Sequence, residues 1–171
     1  MDKVSLELII TIIFSAIGVG KWIYEYTKKM KWERTKFLSD KVESFLTDPE
    51  IKKVLTILDW NSATIVFKDQ LLKYNDYMVM ESLITHNYKT TYTKEEKYIR
   101  ELFDYFLDEL SKFQIWIDTG LIEEKQTKRF LGYYLNIMSG KRKSKSDDYI
   151  KSLKTYIEYY GYDIKIINYE R

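Results

Sequence analysis

The residue types that most often do chemistry are scarce in this chain of 171 residues, which has one histidine, His86, and no cysteine. Without cysteine, disulfides and thiolate metal sites are excluded outright. A catalytic imidazole needs a partner that orients its ring. His86 lies in the polar stretch His86-Asn87 with no such partner legible, so it reads as a solvent-exposed loop histidine. Asp104 and Asp108 share a helix face, with Glu101 one turn earlier, and paired carboxylates can hold a metal. A di-iron bundle, however, requires Glu-x-x-His on facing helices, and the single histidine stands elsewhere. The three carboxylates therefore read as an exposed acidic face. Phosphate-binding glycine loops, zinc motifs and nucleophile elbows are missing, so no catalytic residue, cofactor site or metal site is assigned.

Two further groups invite a functional reading. Asp59, Trp60 and Asn61 interrupt an apolar stretch with two polar residues around the bulkiest ring. They form either a polar site beside an aromatic platform, or a turn in which Asp59 or Asn61 caps the chain while Trp60 fills the core. The second group is the basic cluster Lys141, Arg142, Lys143 and Lys145, preceded by Lys128 and Arg129. Together with Lys28, Lys29 and Lys31 it suits anionic lipid headgroups; the alternative is a solvated linker. Nucleic acid is a poor fit, because no stacking motif accompanies the cluster and Asp147-Asp148 follow directly. The net charge of +2 is matched by residues 1–31, which hold five lysines against three acidic residues, so the rest of the chain is neutral.

The element expected to position everything else is an N-terminal apolar helix. Val4–Tyr24 reads VSLELIITIIFSAIGVGKWIY, and as a helix it would span about 31 Å, close to the roughly 30 Å hydrocarbon thickness of a bilayer. Glu7 and Lys21 sit near its ends, and Trp22, Tyr24 and Tyr26 form an interfacial belt. Basic residues concentrate after the span, at Lys21, Lys28, Lys29, Lys31, Arg34 and Lys36. This predicts a single-pass anchor in the cell (inner) membrane, N-terminus outside and C-terminal domain cytosolic. A cleaved signal peptide would need a basic segment before the apolar run, where MDKVSLE nets one negative charge. A buried helix of a globular core is the other alternative. Thr11, Ser15 and Gly18, with Ala16 and Gly20, form a small-residue stripe suited to a homo-oligomer through this helix.

After 1–31, residues 32–171 read as one helical-bundle domain of about five helices with at most a minor two-stranded β element. Leu38, Val42, Phe45 and Leu46 form an amphipathic stripe. A helix starts at Thr47-Asp48-Pro49-Glu50, either through Thr47 and Glu50 or through Asp48 with Pro49 at the first helical position. Thr64–Phe67 suits a strand or a buried turn, Lys68–Asp76 a loop, and Tyr77–Ile84 a short helix. Thr93 and Glu96 make a capping box for the clearest helix, whose stripe runs through Ile99, Leu102, Phe103, Phe106, Leu110, Phe113 and Ile117 to a stop at Gly120. Glu123–Ser139 follows, with Phe130, Tyr134, Leu135 and Met138 facing inward, and then Asp148–Tyr160, with Ile150, Leu153 and Ile157 inward. Ile164–Ile167 is a candidate strand to pair with Thr64–Phe67.

Trp32-Glu33-Arg34, Phe45 with Asp48-Pro49, Leu58-Asp59-Trp60-Asn61, Phe106–Phe113 leading to Gly120-Leu121-Ile122, and Tyr133-Tyr134 follow one another along the chain. In these residues, over Trp32 to Met138, the chain resembles an uncharacterised bacterial family, a domain of unknown function found in small membrane-anchored proteins. The resemblance implies a helical fold and no assigned activity. The expected function is a membrane-anchored binding or regulatory module, not an enzyme, engaging a protein partner at the cytosolic membrane face. Two alternatives are a membrane-active effector whose anchor oligomerises in the bilayer, and an enzyme built on carboxylates and tyrosines.

Overall fold

The computed structural model describes residues 3–68 and 70–167, with side chains from Ile12 onward except those of Ile13 and Ala16. Among the described residues the elements are α1 (Lys3–Thr47), α2 (Pro49–Asp59), β1 (Ser62–Phe67), β2 (Gln70–Asn75), α3 (Asp76–Ser82), α4 (Lys94–Asp118), α5 (Glu124–Met138) and α6 (Asp147–Tyr160). They fall into two compact units, Met1–Ser39 and Asp40–Arg171.

The first unit consists of α1 up to Ser39. The absence of Pro and Gly between Lys21 and Thr47 lets the helix continue without a break. Its described surface carries the i,i+4 pairs Lys21–Glu25 and Lys29–Glu33, and Trp22 stacks on Tyr26 with ring centroids 5.6 Å apart. The expectation of a transmembrane span is corrected here: among the described residues, no helix is long and apolar enough to cross a membrane. From Lys21 on, charges recur on every turn of α1. The start of the expected span, Val4–Thr11, and Ile13 and Ala16 lie outside the described side chains, as do Thr11 and Ala16 of the small-residue stripe. The fold is therefore mostly helical with a small sheet and no supported membrane-spanning element. Single-pass anchoring and placement in the cell membrane lose their support with it.

The second unit is built around α4, whose buried face includes Ile99, Phe103, Phe106, Leu107, Leu110 and Phe113. It packs on α2 and α3; α5 lies on α2 and α6, and α6 on α3. Local chemistry sets the helix ends. Asp48 caps α2, its Oδ1 accepting from the backbone N–H groups of Glu50 (2.8 Å) and Ile51 (3.0 Å), with Pro49 at the first helical position. Thr93 and Glu96 close the expected capping box at α4, and Gly120 follows that helix with φ +70°.

Three local expectations change. Lys68–Asp76 is not a loop: Gln70–Asn75 forms β2, which pairs antiparallel with β1 from Phe67↔Gln70 to Ser62↔Asn75. Leu72 and Tyr74 point inward while Leu71 and Lys73 point out, so the exposed Leu71 hides the alternation that marks a strand. Ile164–Ile167 forms no strand; its backbone finds a side chain instead, the Ile166 N–H donating to Gln114 Oε1 at 2.8 Å. On α5 the buried residues are Thr127, Leu131, Leu135, Ile137 and Met138, while Phe130 is exposed. Thr127 can point inward because its hydroxyl donates to the Glu123 carbonyl of its own helix at 3.1 Å.

Candidate functional site

The loop between α5 and α6 decides the site. Gly140 turns the chain at φ +77°, with Ile150 Cγ2 only 3.4 Å from where a Cβ would stand. Ser146 then caps α6 through the Tyr149 N–H at 3.2 Å. Between these two fixed points Lys145 is driven inward, and its side chain is fully buried. Its Nζ lies 2.6 Å from Asp76 Oδ1, donates to the Trp60 carbonyl at 2.8 Å, and sits 5.0 Å from the centre of the Tyr149 ring. Asn61 completes the group: its amide nitrogen, oriented toward Asp76 Oδ2 (3.3 Å) and the Ser144 carbonyl (3.0 Å), donates to both. The Asp76 N–H donates to the Asn61 carbonyl at 3.0 Å.

The structure thus joins the two groups that stood apart in the sequence, Asp59-Trp60-Asn61 and the basic loop. Lys145 is consumed by its buried pair, and Arg142 lies over the Tyr133 ring at 4.5 Å. Lys141 and Lys143 are exposed on the loop, as Lys28, Lys29 and Lys31 are on α1. Trp60 does not fill the core. It is the C-cap of α2 in extended conformation, and its side chain is 63% exposed.

Phenols line the inner side of this cluster. Burial raises the Tyr74 pKa to about 12, helped by the charges of Asp76 and Asp59. Burial and Asp59 raise Tyr134 to about 12. The Tyr149 hydroxyl, wholly enclosed, is pushed well above its ordinary value by burial, then by Asp76 and Tyr74. These groups stay protonated at neutral pH; Tyr74 donates to the Thr56 carbonyl at 3.0 Å and Tyr134 to Asp59 Oδ2 at 3.4 Å. Asp59 Oδ1, Ser144 Oγ and the Tyr149 hydroxyl are buried without a hydrogen-bond partner among the described residues, which makes this the least satisfied part of the core. Chemically, the arrangement is a charged clamp roofed by aromatic rings.

A second network was missed in the sequence. Arg100 is buried on α4 and donates to the carbonyls of Ser82 and Ile84, both at 2.8 Å, and to the Tyr160 hydroxyl at 2.6 Å. The Tyr92, Tyr156 and Tyr160 rings surround its guanidinium. The available signal was its place three residues before Phe103, on the apolar side of the helix. His86 is exposed and lies edge-on to Tyr92 and Tyr160.

Asp104 does not belong to a free acidic face, whereas Glu101 and Asp108 are exposed. It accepts from the hydroxyls of Tyr156 (2.5 Å) and Tyr162 (2.9 Å). Asp104→Ala is therefore expected to cost about 1–3 kcal/mol, because the buried Tyr156 hydroxyl loses its acceptor. Urea unfolding would measure it, and a midpoint equal to that of the parent would show that these bonds contribute nothing net.

Comparison with known proteins leaves the chain without a match: no family model, no curated protein and no solved structure resembles it. The resemblance over Trp32 to Met138 accordingly supplies no family assignment.

Proposed function

We propose that the second unit works by contact rather than by catalysis, as a binding module for a protein partner with Trp60 as its anchor. The supporting observation is the way this exposed ring is held. Its carbonyl is tied to Lys145 and its N–H to the Thr56 carbonyl at 3.1 Å. Tyr77, 67% exposed, follows Asp76, whose N–H is tied to Asn61. Tyr133, 43% exposed, carries Arg142 across its face.

Trp, Tyr and Arg are the residue types that dominate interface energetics. A ring on an already ordered backbone loses little further freedom on binding. The Lys145 clamp thus supports the surface rather than reacting: its ammonium is sealed from solvent, and the phenols around it are held protonated.

The test is co-purification of the tagged full chain from its native cells, followed by affinity measurement with the partner so identified. Trp60→Ala should weaken binding about 30-fold, equivalent to roughly 2 kcal/mol, with stability changed by less than about 0.5 kcal/mol. His86→Ala should leave binding unchanged. Full affinity in the Trp60 variant, or loss in the His86 variant with folding intact, would overturn the reading.

A further inference from the structure

We propose that the outer edge of β2 is a docking site for an extended, acidic segment of a partner protein, which adds to the hairpin as a third strand. The phase of the ladder is fixed by two contacts beyond it. The Val66 carbonyl, opposite Leu71, points away from β2 and accepts from the Tyr98 hydroxyl at 3.1 Å. One pair past Ser62↔Asn75, the Asp76 N–H donates to the Asn61 carbonyl. In an antiparallel pair, hydrogen-bonded and non-hydrogen-bonded positions alternate. Leu71 and Lys73 therefore direct their N–H and C=O groups away from β1. On the β1 side the edge is partly covered by Tyr98, whereas the outward groups of Leu71 and Lys73 meet no partner among the described residues. An unpaired row of this kind is what strand addition uses.

The side chains specify the occupant. Leu71 is 79% exposed and its cross-strand neighbour Val66 51%, an apolar pair on the outer face. Lys73 stands two residues further along that face, and Lys68 sits in the turn at φ +46°. Beside the tip, a groove of about 590 Å³ runs between the hairpin and the start of α4, lined by Lys68, Lys94 and Lys97 against Glu95 and Glu101. β2 itself, QLLKYN, has no acidic residue. A second copy pairing edge to edge would set Lys73 against either its own copy or Leu71, whereas a strand with a carboxylate opposite Lys73 and a β-branched residue opposite Leu71 satisfies both.

The probe is an acetylated, amidated Thr-Glu-Thr-Val-Thr peptide, titrated into the full chain while backbone amide resonances are followed by NMR. The amides of Leu71 and Lys73 should shift saturably. The same peptide with lysine in place of glutamate should bind about two- to fivefold more weakly. Lys73→Glu should reverse that preference. Leu71→Pro should abolish binding while the ladder survives, because the lost N–H lies outside it. Trp60→Ala should leave peptide binding unchanged, which separates this edge from the Trp60 surface. The proposal fails if both peptides act equally, if the shifts fall elsewhere, or if a folded Leu71→Pro still binds. It also fails if the Leu71 and Lys73 amides respond to protein concentration alone, which would assign the edge to a second copy.

Discussion

Lys145→Met is expected to lower the stability of the second unit by about 3–5 kcal/mol, the usual cost of removing one partner from a buried ion pair. The lysine side chain is fully buried and that of Asp76 only 20% exposed. Methionine can fill the space but offers no donor, so Asp76 is left with the Asn61 amide as its remaining close donor, and the Trp60 carbonyl loses its bond to Lys145. Removing both charges, as in Lys145→Met with Asp76→Asn, should recover a large part of the loss, since a pair replaced as a whole is often near neutral. The measurement is the urea midpoint of the two variants against the parent. A single-variant loss below about 1 kcal/mol would mean that Lys145 is solvated and that the clamp does not hold Trp60 in place.

Phe106→Ala is the second large effect, also expected at about 3–5 kcal/mol. The ring is 1% exposed and lies 5.5 Å, centroid to centroid, from Phe45. Phe45 in turn meets Phe113 edge-on at 5.4 Å. Truncation removes the transfer energy of a whole ring and opens a cavity between α4 and the last turns of α1. The neighbouring Tyr105→Ala is the contrast: that ring is 40% exposed, and its hydroxyl donates to Asp48 Oδ2 at 3.0 Å. It should cost about 1 kcal/mol, one net hydrogen bond. Comparable losses in the two variants would place the core on the wrong face of α4.

What could be read without the structure follows from how far each interaction reaches along the chain. Asp48-Pro49, the Thr93–Glu96 box and Gly120 act within one helical turn, so their effect on helix ends was legible from neighbouring residues. The Phe103–Phe113 stripe was legible because its spacing is that of a helix face. The strand β2 was obscured because Leu71 breaks the expected pattern by facing solvent. The N-terminal span shows the opposite error: length, end charges and flanking lysines agreed with one another, yet no described helix is long and apolar enough to cross a membrane.

The candidate site lay beyond any local argument. Asp59, Trp60 and Asn61 and the basic loop stand out by residue type, but those types allow both a surface role and a structural one. Only the turn at Gly140 and the cap at Ser146 drive Lys145 inward, onto Asp76 at a separation of 69 residues. The same holds for Arg100 with Tyr160 and for Asp104 with Tyr156 and Tyr162. Where the helices begin and end, and which face of α4 is apolar, follow from neighbouring residues, because backbone hydrogen bonding and helical periodicity are local. Which charged groups are buried in pairs, and which aromatic rings remain outside, was decided by tertiary structure. Burying a charge is tolerable only where a distant chain segment brings its partner.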